Sequence, residues 1–317
     1  MKNIYSNIFK LNKKNLSKAI RYLKSNSLVV LPTETVYGLA GNAYSKKSVQ
    51  KIYSIKKRPK LNPLIVHYHS IKDIYKDVII NQEFLKLYKE LCPGPITFVL
   101  KKKKNTNICD LATANLKTVA IRFPNNKIIR KILKSIKFPL AIPSANKSSG
   151  VSPVDALDVV DEFKKKLKMI IDDGRSEIGL ESTVVDLTNK TQILRPGKIS
   201  EIQISKILKK DVFFANKNTT IRSPGNLKKH YSPGIPIKMN QKKIPFDGAF
   251  IVFGNKFKST QNIFNLSKKS DLNEAAKNLY KIFNLIKKLK YKKIYVAKIP
   301  NKGLGIAIND RIKHAAN

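Results

Sequence analysis

Short strands rich in branched apolar residues alternate with amphipathic helices along this chain, and this alternation constrains its fold more than any other feature. The stretches SLVVLPT (27–33) and PLIVHY (63–68) predict strands. Helical periodicity appears in KSVQKIYSIKK (47–57) and NKIIRKILKSI (126–136), and a further helix is predicted over 71–91. Strands that alternate with helices are typical of α/β proteins, so we expect an α/β fold.

The composition divides the chain of 317 residues into three parts. Residues 1–209 carry the first strands and helices, whereas 210–235 include NKNTTIRSPGNLKKHYSPG, with two Ser-Pro-Gly turns and no apolar periodicity. Such a stretch is typical of a linker or a lid. Strands at 248–254 and 292–300 then flank a long amphipathic helix, which predicts a small α/β domain over 236–317.

The charge of the chain is strongly unbalanced. It carries 63 Lys and Arg residues against 21 Asp and Glu residues, which gives a formal net charge of +42. Such a charge attracts polyanions such as RNA or nucleotides. However, Lys, Asn and Ile are abundant in every segment, so we attribute most of the excess to compositional drift across the genome. The charge is compatible with a role linked to RNA but does not establish one.

Cysteine content and hydropathy indicate a protein of the cytoplasm. Two cysteines, Cys92 and Cys109, are too few for a disulfide framework or a zinc cluster, and they favour a reducing compartment. No apolar run approaches the ~18–20 residues that span a bilayer, and the N-terminus lacks the apolar core of a signal peptide. We therefore expect a cytoplasmic location and no membrane partner.

The stretch IKKRPKLNPLIVHYH places two cations where a helix ends. Val49, Ile52 and Tyr53 form the apolar stripe of that helix, and Lys56 occupies the next position of the same stripe. Its ammonium should therefore point inward, which is costly unless it meets an anion. Arg58 follows on the turn, where its planar fork can bind a phosphate. Two interpretations remain open, an anion site and a helix C-terminus stabilised by cations.

Polar side chains at the ends of other strands add weaker signals. The triplet 33–35 ends a buried strand in LPTETVYGLAG, and IPSANKSSG follows another strand with small polar residues. Ligands of α/β sheets commonly bind at such strand ends. Arg122 lies within the apolar strand VAIRFP, where its partner is a substrate carboxylate or an internal salt bridge. Ser182 and Arg195 flank two further strands.

Several common catalytic motifs do not occur in this sequence. It contains no GxxxxGK[ST] loop and no evident Ser-His-Asp arrangement, and neither cysteine has an activating partner. The four histidines lack the spacing of a metal site, so we expect no protein-bound metal; they are His67, His69, His230 and His314. A site rich in cations and hydroxyls suits electrostatic catalysis on phosphates.

Together these stretches resemble one family. Nine of them occur in the order seen in the YrdC-like threonylcarbamoyl-AMP synthases: PTETVYGLAGNA, IYSIKKRPKLNPLIVH, GPITFVL, VAIRFP, PSAN, ESTVVD, LRPG, HYSP and GLGIAINDRIKHAA. The linker and the C-terminal part are similar to the two-domain long form of this family. The resemblance implies a YrdC-like open twisted sheet with helices around a concave basic cavity, followed by a small Rossmann-like α/β domain.

The resemblance also implies a reaction and its partners. L-Threonine, bicarbonate and ATP would be joined into L-threonylcarbamoyl-adenylate with release of pyrophosphate, which is a nucleotidyl transfer. ATP would be a substrate and would carry Mg²⁺ with it. Partner proteins would then move the threonylcarbamoyl group onto the adenosine beside the anticodon, so tRNA would be an indirect partner and would bind this chain weakly at most.

Individual residues receive roles from the same resemblance. Lys56 and Arg58 match the Lys-x-Arg pair of the family and would be catalytic, acting on the phosphates of ATP. The residues that match the threonine pocket are Thr35, His67, Arg122, Ser144 and Ser182, with Arg122 pairing with the substrate carboxylate. The residues that match the ATP site are Arg58, Asn62, Thr118, Asn146, Val154, Arg195 and the linker residue Tyr231.

The sequence departs from the family pattern after Asn146. It reads KSSG there, with one residue more before the glycine, which affects the expected contacts of 148–154. Val154 lies where an ATP contact is expected, and its side chain can neither donate nor accept, so any contact would be made by its backbone.

Two other functions remain open at this point. A non-catalytic RNA-binding protein of the same fold would bind RNA in a salt-sensitive way without consuming a nucleotide. A related hydrolase or carbamoyl-transfer domain is a further alternative. Such domains usually belong to larger chains with zinc motifs or acyl-phosphatase segments, which this sequence lacks.

Overall fold

The computed structural model of the chain describes residues 5–216, 230–257 and 260–317. Its strands form one sheet of eleven and one of four. All strands of the larger sheet precede residue 217, and those of the smaller sheet follow residue 230. The sequence therefore predicted both the α/β class and the second α/β unit correctly. No helix within the described ranges is long and apolar enough to cross a membrane.

The larger unit alternates strands and helices as the sequence indicated. Its elements in chain order are β1 (Ile8–Lys10), α1 (Lys13–Lys24), β2 (Val29–Leu31), β3 (Gly38–Asn42), α2 (Lys46–Lys56), β4 (Ile65–His67), α3 (Gln82–Leu91), β5 (Ile96–Lys101), β6 (Thr118–Arg122), α4 (Lys127–Ser135), β7 (Leu140–Ala141), α5 (Ala156–Phe163), β8 (Ile170–Asp172), β9 (Thr183–Asp186), β10 (Gln192–Arg195), α6 (Glu201–Leu208) and β11 (Phe213–Phe214). The strand order is β1-β8-β2-β3-β7-β4-β6-β5-β9-β10-β11.

The helix predicted over 71–91 is interrupted. Ile71–Ile74 forms a short 3₁₀ helix, and α3 begins only at Gln82. Between them the chain turns because the buried carboxylate of Asp77 accepts hydrogen bonds from the hydroxyls of Tyr44 and Tyr68. Tyr44 lies 33 positions away in the chain, so helical periodicity within 71–91 could not reveal this contact.

Strand register places the polar candidates on one face of the larger sheet. β4 pairs in parallel with β6, so His67 lies opposite Arg122, and β5 pairs with β6 so that Thr97 also lies opposite Arg122. Side chains of a strand alternate between the two faces of the sheet. The apolar residues that share this face form only a small cluster; they are Ile65, Val99, Ala120 and Val184. This cluster is the floor on which the polar side chains lie.

The helices leave that part of the face open. Residues of α2, α3, α5 and α6 pack in the main core on the opposite face. Residues of α1 and α4 pack on the same side as the floor, but against the strands β2, β3, β7 and β8. The half of the face that belongs to β4, β6, β5 and β9 is therefore not filled by these helices, although its side chains are buried.

The smaller unit is a parallel sheet with helices. Its elements are β12 (Ile237–Gln241), β13 (Ala249–Val252), β14 (Ile263–Asn265), α7 (Leu272–Lys288), β15 (Ile294–Ala297) and α8 (Leu304–Ala316). The strand order is β12-β15-β13-β14, and every pair is parallel. Parallel strands require crossover connections, and α7 connects β14 to β15, which lie on opposite sides of β13. This arrangement matches the predicted Rossmann-like domain.

A buried ion pair joins the two units. Glu181 precedes β9, and its carboxylate accepts a hydrogen bond from Nε of Arg311 in α8 at 2.8 Å. The same carboxylate accepts from Ser152 Oγ at 2.5 Å and from the hydroxyl of Tyr280 at 2.9 Å. Nη2 of Arg311 donates to the carbonyl oxygen of Pro196 at 2.9 Å. Burial alone would raise the pKa of Glu181, but the charges of Arg311 and nearby Arg195, with the bond from Ser152, hold it at about 2.

We predict that Arg311→Ala destabilises the protein by about 3–5 kcal/mol, because it leaves the Glu181 carboxylate buried without its cation. The free energy of unfolding in urea measures this loss. Lys293→Ala is the matched control, since it breaks an exposed ion pair with Asp247 in the same unit and should change little. Equal stability of the Arg311 and Lys293 variants would contradict a structural role for the buried pair.

Candidate active site

One threonine hydroxyl, one serine hydroxyl and an arginine form a hydrogen-bonded group at the start of β9. Thr97 Oγ1 lies 2.7 Å from Ser182 Oγ. Arg195, at the end of β10, donates from Nη2 to Ser182 Oγ at 3.2 Å and from Nε to the carbonyl oxygen of Ser182 at 3.1 Å. β10 runs antiparallel to β9, which explains why the end of one strand meets the start of the other. The sequence signals at Ser182 and Arg195 therefore belong to one place.

Arg122 lies beside this group and forms an internal salt bridge. Its Nη2 donates to Glu34 Oε1 at 2.7 Å, and both side chains are buried. The structure therefore contains the internal salt bridge, one of the two partners that the sequence left open. Neighbouring His67 has a pKa well below its usual value because it is buried, and secondarily because Arg122 is close. Its imidazole is neutral.

Lys56 points inward, as the apolar stripe of α2 predicted. Only 1% of its surface is exposed, and its ammonium donates to the carbonyl oxygen of Ser144 at 2.6 Å and to that of Asn146. Burial, followed by the charge of nearby Arg58, lowers the pKa of Lys56 well below its usual value. The partner that the sequence anticipated was an anion, whereas the structure shows two backbone carbonyls. They tie the end of α2 to the PSAN loop.

Arg58 is held by the turn that follows α2. Lys57 ends the helix with a left-handed backbone (φ 50°), and Arg58 then turns back onto the chain. Its guanidinium donates to the backbone oxygen of Asn62 at 2.9 Å, to Asn62 Oδ1 at 2.6 Å and to the carbonyl oxygen of Pro63 at 2.8 Å. Burial lowers the pKa of Arg58 to about 10. All these partners are neutral, so the positive charge of Arg58 is not cancelled by them.

The PSAN loop is held by its own side chains. Ser144 Oγ donates to Asn146 Oδ1 at 2.5 Å, and Asn146 Nδ2 donates to the carbonyl oxygens of Lys147 and Gly150 at 2.8 Å each. Ser149 lies in this loop and has a left-handed backbone (φ 67°). Its carbonyl oxygen accepts a hydrogen bond from the N–H of Ser232, a linker residue within the described range 230–257. The loop thus contacts the linker, and the expected effect of its length on the contacts of 148–154 stays a prediction.

Val154 lies in the core beside the loop. Its N–H donates to Asp158 Oδ2 at 3.0 Å, and its carbonyl oxygen accepts from the N–H of Ser176. Its side chain packs with residues of the smaller unit. Both backbone groups already have protein partners, and a backbone contact with ATP stays a prediction.

The end of the linker covers the cations. The Tyr231 ring is buried, stacks on Tyr280 at a centroid distance of 5.9 Å and receives the Arg311 guanidinium 5.0 Å above its centre. The ring of His230 lies 3.9 Å from that of Tyr231. Burial lowers the pKa of His230 to about 3; the charge of Glu181 opposes this shift, and the charges of Arg58, Arg195 and Lys56 add to it. Residues 217–229 of the predicted linker (210–235) lie outside the described residues.

Comparison with known proteins agrees with this architecture. Residues 21–197 match the Sua5/YciO/YrdC family described as "Telomere recombination", and residues 199–317 match the family described as "Threonylcarbamoyl-AMP synthase, C-terminal domain". The threonylcarbamoyl-AMP synthase of Pyrococcus abyssi is 32% identical, with 94% of this chain and 93% of that protein aligned. The protein of the same name from Bacillus subtilis is 31% identical, over 96% and 94% of the two chains.

A solved structure extends the match to three dimensions. The crystal structure of P. abyssi Sua5 complexed with L-threonine superposes with a TM-score of 0.89 at 30% identity, covering 98% of this chain and 97% of that one. This chain belongs to the threonylcarbamoyl-AMP synthase family. The family, the YrdC-like fold and the two-domain form that the nine stretches indicated are therefore confirmed.

The threonylcarbamoyl-AMP synthase fold brings the predicted residues to one sheet face and its rim. Thr118 and Arg122 lie at the two ends of β6, about 13 Å apart at the usual rise of a strand. Thr35 follows Glu34 in the chain and is buried, and its Oγ1 lies 2.8 Å from Thr33 Oγ1. The roles of the individual residues in binding threonine and ATP stay predictions. The described residues contain no group of three or more His, Cys, Asp and Glu side chains suited to a metal ion.

Sequence reasoning noted Glu34 only as part of the triplet 33–35, and it missed Thr97, Glu181 and Arg311. Glu34 and Thr97 contact predicted residues, and Glu181 precedes Ser182 directly. Arg311 falls on the apolar stripe of α8 with Ile308 and its neighbours, which is the same signal that identified Lys56. An inward cation on a helix stripe could therefore have revealed Arg311, whereas nothing in the sequence linked it to Glu181.

We predict that the His230 side chain makes stability fall as the pH drops. The pKa of His230 is about 3 in the folded protein, against a usual value of 6.5. Between these pH values the unfolded state therefore binds a proton that the folded state does not bind. Lowering the pH from about 7 to about 5 should cost about 2 kcal/mol through this group.

The free energy of unfolding at the two pH values tests this. His230→Gln should remove that part of the pH dependence. His69→Gln should keep it, because His69 is far less buried and its pKa is only modestly lowered. Identical pH dependence of the His230 variant and the parent protein would refute the assignment.

Proposed function

We propose that this chain joins L-threonine, bicarbonate and ATP into L-threonylcarbamoyl-AMP and pyrophosphate. The observation that carries the proposal is a group of buried cations bonded to neutral partners, Lys56, Arg58 and Arg195, within a chain of this family. A carboxylate substrate and a triphosphate bring several negative charges together, and cations whose charge is not already cancelled can stabilise them.

Threonine would bind at the Arg122 end of the open sheet face. The carboxylate of threonine would accept hydrogen bonds from Arg122, and the hydroxyl of Ser182 offers a polar contact close by. Neutral His67 adds no further charge beside Arg122. The proposed threonine pocket consists of Thr35, His67, Arg122, Ser144 and Ser182. In support, the P. abyssi relative has been solved as a complex with L-threonine.

ATP would extend from this pocket toward the turn after α2 and the PSAN loop. The proposed ATP contacts are Arg58, Asn62, Thr118, Asn146, Val154, Arg195 and Tyr231. Lys56 would hold the PSAN loop by its two carbonyl contacts and add positive charge behind the phosphates. Asn62 Nδ2 is buried without a hydrogen-bond partner among the described residues, which leaves it available to a substrate oxygen.

The reaction is a nucleotidyl transfer in this proposal. The threonine amine and bicarbonate give an N-carboxylate, whose oxygen attacks the α-phosphorus of ATP while pyrophosphate leaves. Lys56 and Arg58 stabilise charge on the phosphoryl oxygens, and Mg²⁺ carried with ATP supplies further positive charge. Holding the reactants together can supply roughly 7–11 kcal/mol of the barrier. No covalent enzyme intermediate is required.

The linker would act as a lid over the adenylate. Tyr231 and His230 already cover the cations, and the lid would keep water from an intermediate that it can hydrolyse. Partner proteins would transfer the threonylcarbamoyl group to tRNA. We propose the division of the chain into a catalytic domain (1–209), a linker (210–235) and a C-terminal domain (236–317). The start of this linker still belongs to the larger sheet, since β11 pairs with β10.

Release of pyrophosphate from ATP by the purified protein tests this function. Threonine and bicarbonate are each present or omitted. We expect release only when both are present. Absence of release, combined with tight tRNA binding that weakens as salt rises, would instead favour the RNA-binding alternative.

We predict that Lys56→Ala and Arg58→Ala each lower turnover at least about tenfold, because each removes a positive charge from the phosphate site. Both variants should still fold, although the carbonyls that lose their donor should cost about 1–3 kcal/mol of stability. Lys60→Ala is the control, since Lys60 is an exposed cation on the same turn. Turnover that is unchanged in both variants would exclude the phosphate-site assignment.

A further inference from the structure

The salt bridge between Glu34 and Arg122 leaves one group on each partner unused. Glu34 Oε1 accepts from Arg122 Nη2, whereas Glu34 Oε2 and Arg122 Nε are buried and have no hydrogen-bond partner in the described part of the chain. An unpaired buried charge-bearing group is costly. Groups of this kind in native proteins call for an explanation, and one explanation is that they bind a ligand.

The backbone fixes the Glu34 carboxylate in this position. The carbonyl oxygen of Glu34 accepts from the N–H of Ile178 at 2.9 Å, and that of Thr35 accepts from the N–H of Gly179 at 3.1 Å. Thr33 Oγ1 accepts from the N–H groups of Thr35 and Val36. The triplet is therefore a rigid turn, and the orientation of Glu34 does not depend on a mobile loop.

The two unused groups complement an α-amino acid. Arg122 Nε can donate to a carboxylate, and Glu34 Oε2 can accept from an ammonium group. Because the two side chains are hydrogen-bonded to each other, these positions are neighbours, as are the carboxylate and the ammonium of one α-amino acid. The inference rests on the proposed function, in which threonine is that amino acid.

We propose that Glu34 is a further catalytic residue, which binds the α-ammonium of threonine through Oε2 and accepts its proton. The ammonium nitrogen has no lone pair and cannot attack carbon until it loses a proton. The proton passes to Glu34, and the free amine then attacks the carbon of bicarbonate. A C–N bond forms, a C–O bond breaks, and water leaves with the second amine proton. The products are the N-carboxylate, water and protonated Glu34.

The same proton transfer changes what Arg122 does. An ionised Glu34 shares the guanidinium, whereas a protonated Glu34 no longer competes for it. Arg122 then bonds more fully to the substrate carboxylate as the N-carboxylate forms. His67 is a poorer base for this step, since burial and the charge of Arg122 keep its pKa well below the usual value.

A cavity borders Glu34 and would give the proton a route to solvent. It has a volume of about 630 Å³ and is bordered by Thr33 and Glu34. Its charged lining residues are Lys127, Arg130, Lys131, Arg175, Asp173 and Glu177.

Cys92 also lies close enough for its pKa to respond to Arg122 and Glu34, and burial raises that pKa to about 12, so Cys92 stays protonated.

Steady-state release of pyrophosphate across a pH series tests the proposal. Glu34→Gln keeps the size of the side chain and an oxygen for Arg122 but removes the base. We expect kcat near neutral pH to fall by about a hundredfold or more. The rate of the variant should recover as the pH approaches the pKa of the free threonine amine. That pKa lies above the range of about 7.7–8.0 of a peptide α-amino group, because the carboxylate of threonine is charged. Glu177→Gln is the control, an exposed carboxylate of the same cavity, and should retain the parent's rate and pH profile.

The outcomes separate this inference from the proposed function. No release by the parent protein with threonine and bicarbonate would refute the function itself. Normal kcat in Glu34→Gln, or a raised KM for threonine with the parent's pH profile, would show that Glu34 only holds Arg122 and would overturn the inference. Should Glu34→Gln not fold, Glu34→Asp decides. It retains a displaced base, so a reduced kcat with the parent's pH profile supports the proposal, and an unchanged kcat contradicts it.

Discussion

The chemistry of this protein depends on buried cations whose hydrogen bonds go to neutral oxygens. Lys56, Arg58 and Arg195 bond to backbone carbonyls, an amide oxygen and a hydroxyl. Such partners offset part of the desolvation cost and leave the net charge in place. The lowered pKa values of Lys56 and Arg58 are the physical sign of this arrangement. An anionic substrate would find charge that the protein itself has not cancelled.

Two other buried arginines are paired with carboxylates and serve different purposes. Arg311 with Glu181 fixes the smaller unit next to Ser182 and places a guanidinium over Tyr231. Loss of either residue of this pair would therefore disturb both the interface between the two units and the position of Tyr231 over the site. Arg122 with Glu34 is less complete, since one group on each partner has no bond within the described residues. The first pair is structural, and the second is suited to exchange one partner for a substrate.

The sheet provides the frame on which these charges are arranged. Its registers put His67, Thr97 and Arg122 on one face, above a floor of small apolar side chains. The strands are short, so loops such as PSAN and the turn after α2 approach the same face from its edge. Tyr231 and His230 close the arrangement from the linker. Each of these parts contributes few residues, and none forms a site alone.

Much of this organisation was predictable from the sequence. The stripe of α2 showed that Lys56 points inward, and the alternation of strands and helices gave both α/β units, because periodicity reports which side of an element is buried. Local pattern failed at 71–91, where the contacts of Asp77 interrupt a helix, and it did not detect the strands β12 and β14. These elements depend on partners far away in the chain.

The sequence by itself determined the family and the α/β class. Only the tertiary structure decided which partner each buried charged side chain has. It gave Lys56 two carbonyls instead of an anion, gave Arg122 the carboxylate of Glu34, and joined Glu181 to Arg311 across 130 positions of the chain. The reason is physical: burial and charge can be inferred from local periodicity, whereas the partner that compensates a buried charge is chosen by strand register and domain packing.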